Sequence, residues 1–419
     1  MAKFTEDQVM LTLAGLTYRG FQDVLGGSLH EEIVSGAVFD GLQTLAPVKD
    51  EWDLIWGPAT DRDRGLAIDT NMMYVARSLS APNRLVVAIR GTNPLSLPDW
   101  VFGDFWVGET VAWPYATAAE SAVVSKSTAL GLAALQSMRS RKPATSTIAQ
   151  VSARVTRALT TLGRAARGGP ADLLAATPAR FEAQVKRIGE LWQDAAANAT
   201  PFEARRQAAD ARPIAPAALR PKLAADAGSD DRSDLLTLLR AEAKESGATA
   251  LEVVVTGHSK GGALAQAVAL WLKDALDSAD PQEIWDPSQR ATVACYAFAG
   301  PTPGNAGFAQ RIERALGKRF HHLRNMNDIV TRAWQVDELR EIPALYGTRS
   351  APFKGLVGLI VADVEKRDYR QAKQDVPGFK GGLADTRTFP AEFVHQHLQS
   401  YIDRTGLDKE GISAETFFL

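Results

Sequence analysis

Two unbroken apolar runs of strand length stand close together near the start of the chain, at 72–76 (Met-Met-Tyr-Val-Ala) and 85–89 (Leu-Val-Val-Ala-Ile). Ala81-Pro82-Asn83 separates them, so the pattern predicts two adjacent strands joined by a turn. Further strand-like runs lie at 251–255, Thr292–Phe298 and Phe320–Leu323, and helical patterns follow two of them. Strands alternating with helices predict a mainly parallel central sheet flanked by helices. Residues 263–272 read as an Ala-rich helix. In 390–404 the residues Phe393, Val394, His397, Leu398, Tyr401 and Ile402 share one face at three- and four-residue spacing, with Pro390 in the first turn and Gly406 past the end. At the start, Thr5 and Gln8 have the spacing of a capping box.

The middle of the chain breaks this pattern. No strand-like run occurs between 141 and 232, where helical spacing appears in Ile148, Val151, Val155, Leu159 and Leu162 and again in Phe181, Val185, Ile188 and Trp192. Residues 141–230 hold 25 Ala and carry a charge of +6, whereas the whole chain of 419 residues carries −2. The segments 125–138 and 233–244 read as helices on either side. The expected organisation is therefore a core in two parts, 1–140 and 233–419, interrupted by a helical insertion at 141–232. Two readings of the insertion stay open: a helical hairpin packed on the core, or a cap or lid whose basic face rests on an anionic lipid surface. The Ala/Pro/Arg stretch from Arg212 to Lys222 reads as irregular and mobile. Phe105, Trp106, Trp113 and Tyr115 read either as lining for an acyl groove or as packing aromatics.

Composition narrows the function. A net charge of −2 argues against a general nucleic-acid-binding surface, which needs a large basic excess. A single cysteine, Cys295, allows no intramolecular disulfide and no Cys-based metal site, and its place in a strand run suggests core. Acidic Glu6 and Asp7 do not suit a signal peptide, and the apolar stretch 351–364 is shorter than the roughly 20 residues of a membrane span. The expectation is a protein that is cytoplasmic or secreted without a leader.

The chemistry concentrates at Gly257-His258-Ser259-Lys260-Gly261-Gly262, a Gly-x-Ser-x-Gly between the 251–255 strand and the 263–272 helix. That is the setting of a nucleophile elbow, in which a strained turn lifts Ser259 above the sheet. The glycines answer a steric need, because a Cβ so close to the turn would clash. The backbone N–H of Lys260, next after the nucleophile, is the expected donor to an oxyanion.

Residues 254–265 resemble the nucleophile segment of the class 3 lipases, an α/β-hydrolase family, although an apolar residue usually stands where this chain has Lys260. Further stretches resemble the family in the right order. Residues 86–92 with Asp99, Trp100 and Asp104 resemble the oxyanion-loop segment, 296–305 the strand and turn after the nucleophile helix, and 324–330 the segment of the catalytic acid. The resemblance implies an α/β-hydrolase fold and a serine ester hydrolase of lipase or carboxylesterase type, with no metal or cofactor. It implies Thr92 as the second oxyanion donor and a lipid or small-molecule ester as substrate. Phospholipase A1 or acyltransferase activity on the same site, or a non-catalytic lipid-binding module, are the alternatives.

For the base, six histidines are available. His258 adjoins the nucleophile in sequence and is expected to point elsewhere. His30 precedes the nucleophile, against the hydrolase order of Ser, acid, His. His321 and His322 lie in a strand-like run. His397, on the inward face of the last helix, is favoured, with His395 as the alternative; Tyr401 fits the tyrosine that follows the base in the family. Asp328, after a strand-like run and an Asn-x-Asn turn, is the candidate acid, its competing role being a turn cap. Arg90 and Asp104 suggest a structural ion pair.

Overall fold

A computed structural model describes residues 3–19, 28–62, 69–91, 107–141, 214–223, 232–350, 354–374, 377–384 and 388–418. The apolar runs become the spine of a six-stranded sheet in the order β1 (Trp52–Arg62), β2 (Asp69–Ser78), β3 (Arg84–Ile89), β8 (Glu252–His258), β9 (Thr292–Phe298) and β10 (Phe320–Leu323), while the short strands β4 (Thr110–Ala112) and β5 (Val123–Ser125) pair with each other outside it. The pairs β1–β2 and β2–β3 are antiparallel, while β3, β8, β9 and β10 run parallel. The sheet is mixed and mostly parallel, as in the α/β-hydrolases.

Burial on both faces explains why the central strands are apolar without alternation. Tyr74, Ala76, Val86, Ala88 and Val254 face one core, which they share with Met10 and Leu13 of the helix Glu6–Leu16 and with Phe393, Leu398 and Tyr401 near the C-terminus. Met73, Val75, Val87, Ile89, Val253 and Val255 face the other, against the helices Lys126–Ser137, Leu235–Glu245, Lys260–Leu276 and Ala306–Leu316. The capping box forms as expected: Gln8 N–H donates to Thr5 Oγ1, and Thr5 N–H donates to Gln8 Oε1 at 2.9 Å. The edge strand β1 escaped the sequence reading. Gly57-Pro58 interrupts its apolar run, and its pairing with β2 shifts register on both sides of that dipeptide. Proline is tolerated in a sheet at such an edge, where no further strand needs its missing N–H. The open edge of β10 is closed by Gln374, whose side chain exchanges hydrogen bonds with the His322 backbone.

Strand β6 (Ser140–Arg141) pairs antiparallel with β7 (Arg232–Ser233), Ser140 facing Ser233 and Arg141 facing Arg232. The two ends of the 142–231 stretch therefore lie side by side. Trp56 Nε1–H donates to the Ser233 carbonyl at 3.0 Å and ties this pair to β1. The apolar stripes at 148–162 and 181–192 fall outside the described residues, as do Phe105, Trp106 and Asp104.

The expectation of a mobile stretch from Arg212 to Lys222 is corrected over 214–223. Leu219 and Leu223 are buried in the second core, behind a turn at Pro216–Leu219. The Leu219 carbonyl accepts from Gln136 Nε2, and Leu223 N–H donates to the Gln282 carbonyl at 2.7 Å. Arg220 makes two parallel 2.8 Å bonds to the buried Glu283 carboxylate and lies over the Tyr115 ring. Two leucines and one bidentate arginine, invisible to periodicity, hold the segment down. Leu219→Ala is expected to destabilise the protein by about 2–4 kcal/mol, since the site is enclosed and cannot collapse freely; urea unfolding measures it, and a loss near zero would mean the segment is not docked.

Trp113 is a packing residue. Its Nε1–H donates to Asp274 Oδ2 at 2.7 Å, and its ring meets Phe308 edge-on. Asp274 also receives Arg311, which reaches on to Glu120. Among the described residues no helix is long and apolar enough to cross a membrane.

Candidate active site

Strand β8 ends at His258, and the helix Lys260–Leu276 starts two residues later. Ser259, between them, has φ 66° and ψ −131°, a backbone conformation that costs a non-glycine residue on the order of 1–3 kcal/mol. Close approach of the surrounding backbone holds it there. A Cβ on Gly257 would lie 2.2 Å from the Gly261 carbonyl oxygen, and one on Gly261 would lie 2.4 Å from that of Ile89. Gly262 and Gly300 press backbone on backbone in the same way. Ser259 N–H donates to the Phe298 carbonyl at 2.9 Å, which anchors the turn to β9.

The candidate base lies on the last long helix. Phe389–Val394, the π turn His395–Gln399 and Ser400–Thr405 run on without a break, and Gly406 closes the helix in the left-handed region. Single π turns inside α-helices often mark functional positions, and this one holds His397. His397 Nε2 lies 2.8 Å from Ser259 Oγ, and Nδ1 lies 2.8 Å from Asp328 Oδ2. The Phe393 ring stacks on the imidazole at 5.5 Å. His395 is half-buried and is not among the described partners of Ser259 or Asp328.

The two oxygens of Asp328 have different partners. Oδ1 accepts from Val330 N–H at 2.9 Å and caps the turn Ile329–Arg332, while Oδ2 accepts from the Tyr401 hydroxyl at 3.0 Å as well as facing His397. Burial and the Asp328 carboxylate push the Tyr401 hydroxyl well above its ordinary pKa, so it stays a donor. The Tyr401 oxygen in turn accepts from Asn325 N–H at 3.0 Å, and Asn325 Nδ2 reaches the Gln396 carbonyl and side chain. These bonds fix the acid loop to the base helix. Ser259, His397 and Asp328 are only 3%, 2% and 0% exposed, so charge that develops on them is little screened by water.

The backbone N–H of Lys260 opens a helix at its N-terminus, where backbone dipoles favour negative charge. Thr92 lies outside the described residues; Gly91, just before it, is described. A Cβ on Gly91 would lie 3.0 Å from Ser259 Cβ and 2.3 Å from the Tyr18 hydroxyl. Gly91, Tyr18, Asn325 and Gln396 were not singled out from sequence. His258, expected to point elsewhere, instead packs its ring 4.8 Å from that of His397. His321 stacks on Tyr296, and His322 is buried with Nε2 accepting from Gly300 N–H. Cys295 is fully buried in β9, and burial raises its thiol pKa.

Residues 229–338 match the family model described as lipase (class 3). That stretch of 110 residues, out of 419, is what is similar to the class 3 lipases. A protein of Arabidopsis thaliana named "Lipase-like PAD4" is 42% identical over 82 residues, a stretch that makes up 19% of this chain and 13% of that protein. The chain thus spans only a small part of that relative's length. Among solved structures, one titled as M37 lipase superposes over 99% of this chain and 98% of its own, with a TM-score of 0.68 and 24% identity. That likeness establishes an α/β-hydrolase fold. The class 3 lipase match ends at residue 338, so it includes Ser259 and Asp328 but not His397.

Proposed function

We propose that this chain is a serine ester hydrolase acting on acyl esters, with Ser259 as nucleophile, His397 as base and Asp328 as acid. The observation that carries the reading is the unbroken line from Ser259 Oγ through His397 to Asp328, two contacts of 2.8 Å each, on a serine held at positive φ. Ser259 Oγ attacks the ester carbonyl as His397 Nε2 takes its proton. Asp328 holds the Nδ1–H tautomer and stabilises the imidazolium. The developing oxyanion is met by the Lys260 N–H at the helix start, with Thr92 as the second donor. His397 returns the proton to the leaving alcohol, and water resolves the acyl-enzyme by the same route.

The test is labelling by a fluorophosphonate followed by peptide mapping, with an activity series over acyl lengths in the presence and absence of a lipid interface. Labelling at Ser259 together with ester turnover supports the reading; a folded protein that takes no label overturns it in favour of a non-catalytic lipid-binding module. Products from phospholipid and triglyceride separate a phospholipase A1 from a lipase. The basic insertion at 141–232 remains our proposed contact with a lipid surface.

A further inference from the structure

His258 and Tyr18 are buried beside the proposed site, and the reaction as written does not use them. The His258 ring lies between two elements. Its Nε2 is 2.9 Å from the carbonyl oxygen of His397, and its Nδ1 is 3.2 Å from the Tyr18 hydroxyl. A carbonyl can only accept, so Nε2 carries the hydrogen and Nδ1 is left as an acceptor. Tyr18 supplies the donor: its one hydroxyl hydrogen is shared between Nδ1 and the His258 carbonyl oxygen, each 3.2 Å from Oη, while its oxygen takes a hydrogen bond from the Gly91 backbone N–H. The bonds therefore run in one direction, from Gly91 N–H to Tyr18 Oη, from Tyr18 O–H to His258 Nδ1, and from His258 Nε2–H to the His397 carbonyl. They join the end of β3, the nucleophile elbow and the π turn that carries the base.

We propose that Tyr18 and His258 are positioning residues, a hydrogen-bond relay that fixes the backbone of His397 relative to Ser259 and to the loop start at Gly91. The inference rests on the ester-hydrolase reading above. Its physical content is a ring held from both sides. The His397 carbonyl, which can only accept, fixes the Nε2–H tautomer, and the Tyr18 hydroxyl answers Nδ1 from the opposite side; without Tyr18 the ring loses the donor that holds it in line with that carbonyl. Burial and the neighbouring His397 ring hold the His258 pKa well below its ordinary value. The relay thus stays neutral and puts no second positive charge beside the imidazolium that forms during attack. Tyr401, whose ring meets the His258 ring edge-on at 5.9 Å, closes the remaining side.

The test compares His258→Asn, His258→Gln and Tyr18→Phe on a short-chain p-nitrophenyl ester, with kcat expressed per site titrated by fluorophosphonate. Glutamine can place an amide N–H near the Nε2 position, and asparagine cannot. His258→Asn is expected to lower kcat about tenfold with KM unchanged, the rate equivalent of about 1.4 kcal/mol. His258→Gln is expected to recover most of that loss, and Tyr18→Phe, which keeps the ring, to fall between. A purely structural role would lower the melting temperature and the titratable fraction while leaving kcat per site intact. Wild-type kcat per site in His258→Asn and Tyr18→Phe, or equal losses for Asn and Gln, would overturn the relay. A wild-type protein that neither labels nor turns over would overturn the hydrolase reading first, and the relay with it.

Discussion

Replacing Ser259 with alanine is expected to abolish cleavage of a short-chain p-nitrophenyl ester, with turnover falling about a millionfold toward the uncatalysed background. The size of the effect follows from how the proposed site divides its work. Without Oγ, His397 has no proton to take, and Asp328 has no imidazolium to stabilise. What survives is electrostatic stabilisation at the helix start and substrate binding, which help water only modestly. The substitution removes one atom from a residue that is 3% exposed, while the bond from Ser259 N–H to Phe298 is made by the backbone and remains. Folding should therefore be preserved, and a thermal melt run beside the assay checks it. Full residual activity in a folded Ser259→Ala protein would sink the assignment.

Asp328→Asn should cost on the order of ten-thousandfold in kcat while leaving the fold intact. The carboxylate is fully buried and has two tasks on two oxygens. An asparagine oxygen can still cap the turn by accepting from Val330 N–H. The amide nitrogen then faces His397 Nδ1 as a donor, drives the imidazole to the Nε2–H tautomer, and turns the base into a donor toward Ser259 Oγ. The Tyr401 hydroxyl loses its acceptor at the same position. Activity within tenfold of wild type, with an unchanged melting temperature, would show that another group orients His397.

The two ends of the proposed mechanism differ in how openly the sequence displays them. The elbow is legible because its constraint is local: three glycines, one serine, a strand before and a helix after, all within 252–276. The strands β2, β3, β8 and β9 were legible for the same reason, each being one mainly apolar run in the body of the sheet. His397 was harder to separate from His395, because a reading at 3.6-residue spacing cannot register a single widened turn, and that turn is where both residues sit. Tyr18 was invisible, since it meets His258 from 240 positions away and no local pattern marks it. Asn325 was passed over as a turn residue although its amide ties the acid loop to Gln396. In the 212–222 stretch, alanine and proline suggested slackness, and what decides the outcome there is Leu219, Leu223 and one arginine that finds a carboxylate.

The strand pair Ser140–Arg141 and Arg232–Ser233 bears on how such a protein can be taken apart and rebuilt. Arg141 and Arg232 stand directly opposite each other in an antiparallel ladder, the spacing that a two-residue hairpin loop closes. The pair is therefore a splice point. An exchange of sequence at this splice point has to keep 214–223, which Leu219, Leu223 and the Arg220–Glu283 pair hold in the core.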